Sequence, residues 1–241
     1  MNLYESPVLR AVTGAVIRPG GFALTDRGLA RCRLRAGARV LDIGCGAGGS
    51  ADYLRQRHGL SAIGLDLSAV LLAEGLRTHG NLPLVRGRAE QLPMADGFID
   101  AVLCECALSL SSRPQAVLQE AWRILQPGGA LILTDVFARA ADPSARRGEY
   151  PVACCLQGAV DASTVKQRIA AAGFEMLLWE DHSQVLKQLA ANLILTYGSL
   201  DAFWSTVAGP DAAPAMNRCG GASGGRPGYY LLVARKPTDG H

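Results

Sequence analysis

Short apolar runs alternate with stretches of helical periodicity along most of this chain. The apolar runs are rich in Val, Ile and Leu and end at a carboxylate, a glycine or a proline. Such runs are typical of strands that are buried on both faces of a parallel sheet, and apolar residues spaced three and four apart between them predict amphipathic helices. The pattern therefore predicts an α/β domain.

The predicted elements follow this alternation. The predicted strands are 39–43, 61–66, 82–86, 99–104, 129–135, 173–180 and 229–236. The predicted helices are 26–32, 50–58, 68–78, 114–125, 163–172 and 183–198. Thr25 or Asp26 is expected to cap the first helix, Ser68 to begin the third, and Asp161 or Ser163 to cap the fifth.

The first strand leads directly into a glycine-rich turn. Residues 39–49 are RVLDIGCGAGG, in which four glycines follow Asp42 and Ile43 closely. Glycines allow positive φ and let a ligand lie against the backbone, and the helix that follows offers unpaired N–H groups. This stretch predicts a binding site for a nucleotide-like ligand.

Asp42 distinguishes between the ligands that such a turn can hold. In a dinucleotide site the turn meets a pyrophosphate, which a carboxylate at the strand end would repel. A ligand with a cationic group would instead be attracted. The position of Asp42 therefore favours a cationic nucleoside ligand.

Four stretches resemble motifs of the class I S-adenosylmethionine (SAM)-dependent methyltransferases, above all the small-molecule enzymes of ubiquinone and menaquinone biosynthesis. They are VLDIGCGAG at 40–48, GRAEQLP at 87–93, the Phe-x-Asp at 98–100 and RILQPGGALILTD at 123–135. The resemblance covers about residues 38–136. Gly44-x-Gly46-x-x-Gly49 also fits the dinucleotide fingerprint, so a dehydrogenase is a poorer alternative.

The resemblance implies a fold and a cofactor. The fold is α/β, a Rossmann-like, seven-stranded and mostly parallel sheet with helices on both faces, whose last strand runs antiparallel between the fifth and sixth. The cofactor is SAM, with S-adenosylhomocysteine (SAH) as the product. The residues expected to contact it are Arg18, Asp42, Gly44, Cys45, Gly46, Gly48, Asp66, Leu67, Arg88, Ala89, Glu90 and Cys104.

Individual roles follow from strand ends and from the resemblance. Asp66, at the end of the second strand, is expected to hold the ribose, or else to cap a helix. Leu67 and Ala89 would flank the adenine. Arg88 stands where the family usually has an acid, so contact with the adenine amino group would pass to Glu90 or to the backbone around Ala89.

Two further residues are expected near the reacting methyl group. Arg18 lies beside a Pro-Gly-Gly loop that is either a plain connection or a flap, and in a flap it would pair with the ligand's carboxylate. Glu105 follows the fourth strand and is the candidate general base or substrate anchor, with a purely structural role as the alternative.

Length and charge limit the other possibilities. The 241 residues fit a single methyltransferase domain, with an N-terminal helical or flap segment at 1–36, a core at 38–136 and lid or insert segments at 137–160 and 183–226. Within the last segment, apolar residues at helical spacing predict a stripe that packs into the core: Leu186, Leu189, Leu193 and Tyr197.

No apolar run is long enough for a membrane span and no signal peptide is visible, so the expected location is cytoplasmic. The net charge of +3 is not concentrated in a basic block, which favours a small-molecule substrate over nucleic acid and leaves the oligomeric state open.

Seven cysteines are more consistent with reduced thiols than with a secreted disulfide framework. Cys104 and Cys106 project to one side of a strand, and Cys154, Cys155 and Cys219 fall in loops that could close over the same edge. Such a set could hold a soft metalloid, as in arsenite methyltransferases. The spacing is not that of a recognised metal site, so no metal is expected and an organic acceptor is preferred.

The function predicted from the sequence is SAM-dependent methyl transfer to a small-molecule acceptor. A non-catalytic SAM- or SAH-binding protein and thiolate-assisted methylation of arsenite are the alternatives. The loop 18–25 and the segment around Cys154 are expected to become ordered when ligands bind.

Overall fold

The computed structural model describes residues 3–14, 16–139, 152–214, 216 and 227–238, and these form an α/β fold around one seven-stranded sheet. The strands are β1 Arg39–Ile43, β2 Ser61–Asp66, β3 Leu84–Arg86, β4 Ile99–Glu105, β5 Leu125–Phe137, β6 Glu175–Asp181 and β7 Gly228–Arg235. The helices are α1 Pro7–Thr13, α2 Gly21–Leu29, α3 Gly49–His58, α4 Ala69–His79, α5 Pro114–Ile124, α6 Ala162–Ala171, α7 Ser183–Tyr197 and α8 Leu200–Ala208.

The sheet has the order β3-β2-β1-β4-β5-β7-β6. The first five strands pair in parallel, whereas β7 pairs antiparallel with both β5 and β6. The predicted sheet, including its antiparallel last strand, is confirmed. Because β1 and β4 are neighbours while the chain reverses its order at β1, their carboxyl ends form the crevice in which this class of fold binds ligands.

Both faces of the sheet are covered by helices, as predicted. On one face, α5 and α6 contribute the buried residues Val117, Leu118, Val165 and Ile169 to the main core. On the other face, Ala51 and Leu54 of α3 pack against the opposite sides of the same strands. Burial on both faces explains why the strands are continuous apolar runs without alternation.

A satellite cluster lies apart from these two cores. It joins α1, α7 and α8 to residues just before the short 3₁₀ turn Cys155–Gly158. Its fully buried members are Leu3, Leu9, Val152, Cys154, Leu193, Phe203, Val207 and Met216. The predicted apolar stripe of α7 contributes Leu193 to it, with Leu189 and Tyr197 packed alongside.

The first long helix begins earlier than predicted. It is not capped by Thr25 or Asp26: α2 starts after Gly20, whose φ of 82° ends the preceding turn, so Thr25 lies inside the helix and is fully buried. Asp26 instead accepts hydrogen bonds from Tyr53 and contacts the His58 ring at 2.8 Å. The sequence also did not predict α1 or α8. The other predicted caps are confirmed for Ser68 and for Asp161, which accept the N–H groups of Leu71 and Thr164.

Several predictions fall partly outside the described part of the chain. Residues 140–151 and 217–226, which include Cys219, belong to the predicted lid and insert segments. Among the described helices, none combines the length and the apolar character that crossing a bilayer requires.

Candidate cofactor and active site

The glycine turn after β1 is fixed to the end of β2. The backbone N–H groups of Gly44 and Cys45 both donate to the Leu65 carbonyl, at 2.8 and 3.1 Å. Gly44 has a φ of 73°, and a Cβ there would lie 2.4 Å from the Cβ of Ala107, which follows β4. Only glycine therefore lets the turn approach the end of β4 this closely.

The turn has an open side at Gly46. This residue also has a positive φ, 57°, but a Cβ there would meet only a Leu71 methyl group at 3.9 Å. The peptide at Gly46 is therefore a surface that a ligand can approach. The helix α3 begins one turn later, after Gly48 at φ 82°, so its N-terminal amides face the same region.

Asp42, at the end of β1, is a buried carboxylate that lacks a full set of partners. The residue is 2% exposed, and within the described chain its Oδ2 atom has no hydrogen-bond donor. Burial, together with the nearby Glu105, raises the pKa of Asp42 to about 8, although Arg18 opposes the shift. A buried acid of this kind is stabilised in its ionised form by a cation placed beside Oδ2.

Asp66 ties the glycine turn to the next helix. Its Oδ2 accepts the Gly46 N–H and its Oδ1 accepts the Ser68 N–H, both at 2.8 Å. Each carboxylate oxygen has a second lone pair, so these bonds leave acceptors free for a pair of hydroxyl groups. Leu67, the next residue, is 57% exposed beside this carboxylate.

The loop after β3 turns one acid inward and one base outward. Glu90 accepts a hydrogen bond from Ser111 at 2.7 Å and lies 3.6 Å from the Nε of Arg88. The side chain of Arg88 is 59% exposed, whereas Ala89 packs against the main core. The Glu90 carboxylate is thus largely buried, whereas the Arg88 side chain that pairs with it is mostly exposed to solvent.

Glu105, at the end of β4, is the centre of a buried polar network. Its Oε1 accepts from Thr25 at 2.9 Å, and its Oε2 accepts from Ser50 at 3.1 Å and pairs with Arg18 Nε at 2.9 Å. Arg18 also donates to Ser50 and to Thr25, at 2.9 and 2.5 Å. Burial raises the pKa of Glu105, and the Arg18 guanidinium opposes that shift.

This network links three parts of the chain to the site. Arg18 and Thr25 belong to the N-terminal segment, Ser50 to the first turn of α3, and Glu105 to β4. Sequence reasoning singled out Arg18 and Glu105 but not their pairing, and it missed Ser50 and gave Thr25 only a capping role. Contacts across 55 and 80 residues leave no local pattern that could have indicated them.

The cysteines expected near the site do not converge as one group. Cys104 points into the main core, and Cys45 lies against Gly64 of β2. Cys154 belongs to the satellite cluster, whereas its neighbour Cys155 packs on the other side with Cys106. Within the described residues no three His, Cys, Asp or Glu side chains are grouped as a metal site requires.

Cys106 has an unusual backbone conformation. Its φ is 52°, in the left-handed region that glycine or asparagine normally occupies. A β-carbon in that region costs of order 1–3 kcal/mol, and the surrounding contacts must hold it there. The Cys106 amide donates to the Thr134 carbonyl at 2.7 Å, and its Sγ lies 3.1 Å from the Tyr229 hydroxyl.

Comparison with known proteins indicates a methyltransferase domain in this chain. Residues 41–133 match the family model described as a methyltransferase domain. The chain is 39% identical over 113 residues to malonyl-[acyl-carrier protein] O-methyltransferase from Enterobacter lignolyticus, covering 47% of this chain and 45% of the relative. It is 36% identical over 149 residues to arsenite methyltransferase from Aquipseudomonas alcaligenes, covering 55% and 43%. The chain thus spans less than half the length of these curated relatives.

Two solved structures are similar over nearly the whole chain. The [4+2]-cyclase SpnF has a TM-score of 0.77 and 28% identity, with 98% of this chain and 93% of that one covered. Phosphoethanolamine N-methyltransferase 2 of Haemonchus contortus in complex with SAM has a TM-score of 0.76 and 18% identity, covering 96% and 56%, and shows the same fold. Together with the sheet order and the acid-glycine turn of β1, these likenesses identify a methyltransferase domain at residues 41–133 and show that the chain is similar to class I SAM-dependent methyltransferases.

Proposed function

We propose that this protein binds SAM and transfers its methyl group to a small organic molecule. The observation that carries the proposal is Asp42, a buried acid beside the glycine turn whose Oδ2 atom has no donor within the described chain. A cationic ligand supplies the missing partner and favours the ionised acid, which an anionic dinucleotide does not do.

The other residues of the crevice fit the remaining parts of SAM. The free lone pairs of Asp66 suit the two ribose hydroxyls, and the exposed Leu67 with Ala89 offers apolar surface for the adenine. The open backbone at Gly46 suits the methionine part. When bound, SAM supplies an electrophilic methyl group on a sulfonium.

Glu105 is proposed to act as a positioning residue. Both of its carboxylate oxygens are engaged by Arg18, Thr25 and Ser50, so it holds the N-terminal segment against the crevice. In this proposal Arg18 is likewise held by Glu105, and the carboxylate of SAM relies on backbone amides instead. The chain's contribution to catalysis is then to hold the two reactants in line and to exclude water, which can lower a barrier by several kcal/mol.

An organic acceptor is favoured over a metalloid. Cys154 and Cys155 lie in separate clusters, and Cys219 is outside the described residues, so the three-thiol group expected for arsenite is not assembled by the first two. The likeness to an arsenite methyltransferase makes arsenite with a thiol the first inorganic substrate to test. We propose no nucleic-acid partner and a cytoplasmic location.

Calorimetric titration with SAM, SAH and NAD tests the cofactor. We expect micromolar binding of SAM and SAH and no binding of NAD, and a tenfold or greater loss of SAM affinity in Asp66→Ala, the scale of an unpaired hydrogen-bond partner. Binding of NAD without SAM would overturn the proposal.

Formation of SAH in the presence of candidate acceptors tests the reaction. Pools of phenols, thiols, amines and carboxylic acids are compared with arsenite plus thiol, and SAH is quantified. SAH formation only with arsenite would replace the organic acceptor. SAM binding with no SAH from any pool would instead favour a non-catalytic role, or a reaction without methyl transfer of the kind named for the cyclase SpnF.

A further inference from the structure

Cys106 and Cys155 form a pair of thiols that the proposed methyl transfer does not use. Cys106 follows β4. Cys155 lies 49 residues further along the chain, where it begins the 3₁₀ turn Cys155–Gly158. Cys155 packs against the cluster that contains Cys106, Leu24, Val136 and Tyr229, and its thiol is close enough to the Cys106 thiol to raise the pKa of Cys106.

The Cys106 thiol and the backbone of Cys155 are held by their surroundings. The Cys106 Sγ contacts the Tyr229 hydroxyl at 3.1 Å, and that hydroxyl donates to Thr134 at 3.1 Å. The backbone N–H of Cys155 donates to the Tyr4 hydroxyl at 3.0 Å. The 3₁₀ turn itself is packed tightly, because a Cβ on Gly158 would lie 1.9 Å from the Ser109 carbonyl oxygen.

The exposure of the two thiols differs. Cys106 is 7% exposed, whereas Cys155 is half-buried and is therefore the more accessible of the two residues. Cys106 also has the left-handed φ of 52°, so a backbone conformation that disfavours a side chain places its thiol against Cys155. Strain of this kind clusters at functional positions.

We propose that Cys106 and Cys155 are a redox-active pair that closes to a disulfide when the protein meets a disulfide oxidant such as glutathione disulfide. Closure brings the two sulfur atoms to a bonding distance of about 2.05 Å. The crosslink would fasten the 3₁₀ turn to the end of β4, between Glu105 and Ala107, which contacts the glycine turn.

The reaction proceeds in two balanced exchange steps. The Cys155 thiolate attacks one sulfur of the oxidant, which breaks its S–S bond, forms a mixed disulfide and releases one glutathione as thiolate. Cys106 then loses its proton to that thiolate or to water and attacks Cys155 Sγ, releasing the second glutathione. Two protein thiols are oxidised and one glutathione disulfide is reduced to two glutathiones.

Peptide mapping of the whole protein under non-reducing conditions tests the pair. Reduced protein is incubated with glutathione disulfide, remaining thiols are alkylated, and crosslinked peptides are identified by mass spectrometry. We expect the Cys106–Cys155 crosslink as the main product in wild type and in Cys154→Ala, the matched control whose thiol lies in the satellite cluster. The experiment measures the masses of crosslinked peptides, so its result does not depend on SAM binding or on turnover.

The single variants distinguish the two roles. In Cys106→Ser we expect stable glutathione on Cys155, because the resolving thiol is gone. In Cys155→Ser we expect Cys106 to remain free, because it is buried. Circular dichroism checks that each variant is folded. If a variant does not fold, the peptide map of the wild-type protein still tests the crosslink. A folded wild type that keeps both thiols free, or that carries stable glutathione on Cys155 with Cys106 free, would overturn the proposal.

Discussion

The side chain that Gly44 lacks decides how closely the turn approaches β4. We expect Gly44→Ala to destabilise the protein by more than the about 1–2 kcal/mol that a left-handed backbone costs an L-residue, because its Cβ would also overlap Ala107. SAM affinity should fall about tenfold or more as the turn shifts. Urea denaturation and calorimetry measure the two effects.

Gly97→Ala is the matched control for that substitution. Gly97 has a similar φ of 63°, but nothing lies within 4 Å of its Cβ position. It should show the backbone cost alone, with unchanged SAM affinity. Equal losses for the two variants would mean that the contact with Ala107 is unimportant.

Asp42 makes both stability and cofactor binding depend on pH. Its pKa in the folded protein is raised from 3.8 to about 8, so between these values the folded state holds a proton that the unfolded state has released. The free energy of unfolding therefore falls as pH rises from about 4 to 8, and Asp42→Asn should remove that part of the fall. Urea denaturation of both proteins across this range measures the difference.

The same shift predicts tighter binding of SAM at higher pH. A cation beside Oδ2 favours the ionised acid, so affinity should rise between pH 6 and 9, by at most about tenfold per unit for a single proton. The α-amino group of SAM also titrates in this range. The pH profile of Asp42→Asn shows the effect of that group alone. Parallel profiles for the two proteins would show that Asp42 does not titrate.

At the level of residues, the sequence predicted which charged side chains lie near the site, but not which of them pair with one another. The role proposed for Asp42 follows from local order, because an acid directly before a glycine turn limits the ligand wherever the strand lies. Arg18 was expected to meet the ligand's carboxylate, yet in the fold it pairs with Glu105. That pairing depends on how α2 packs over the sheet, which no spacing in the sequence encodes.

At the level of elements, the Arg18–Glu105 pair holds the N-terminal segment to the end of β4. Their side chains are only 8% and 4% exposed, so Arg18→Ala leaves a buried carboxylate without its cation. We expect a loss of about 3–5 kcal/mol in the free energy of unfolding, and a smaller loss for the double variant Arg18→Met with Glu105→Leu. Urea denaturation of the single and double variants measures both.

An exposed ion pair provides the control. Arg235 and Glu175 lie 2.6 Å apart with side chains 46% and 52% exposed. Arg235→Ala should cost less than about 1 kcal/mol. If Arg18→Ala lowered the free energy of unfolding by no more than this, the buried Glu105 carboxylate would not need the Arg18 guanidinium for its stability.

The predicted bounds of the strands and helices agree with the structure to within two residues, except at α2 and at the start of β5, which begins at Leu125 and not at Gly129. The strand β1 ends at Ile43, between Asp42 and Gly44, and β2 ends at Asp66; an acid or a glycine at a strand end is a strong local signal. The start of α2 was misplaced because Gly20 and Gly21 resemble a loop, whereas a glycine at positive φ here precedes the helix directly. The helix α8 was missed because it lies between α7 and a stretch rich in Gly, Pro and Ala, and it is stabilised by packing against α7 rather than by a pattern of its own.

At the level of the whole molecule, the satellite cluster forms a second packing unit beside the sheet. Phe203 is 1% exposed at its centre, so Phe203→Ala removes about 3–5 kcal/mol from the packing of α1, α7 and α8. We expect faster hydrogen exchange in those three helices together, with the amides of β1, β4 and β5 unchanged. Leu195→Ala is the control, since Leu195 lies on α7 but is 84% exposed.

Uniformly faster exchange throughout the protein would contradict this separation. It would mean that the cluster and the sheet unfold as one unit. The same measurement, made with and without SAM, tests whether residues 18–25 and 152–158 become protected when the ligand binds, as the sequence predicted.

The position of β7 has a consequence for synthesis on the ribosome. This strand lies between β5 and β6, although it is the last of the seven to be made. Until residues 228–235 emerge, β5 and β6 each present an open edge of unpaired amides and carbonyls, and the aromatic stack of Trp179 on Tyr230 cannot form. The nascent chain thus exposes two strand edges that invite pairing with other chains, and protection by a chaperone matters most just before its final strand is released.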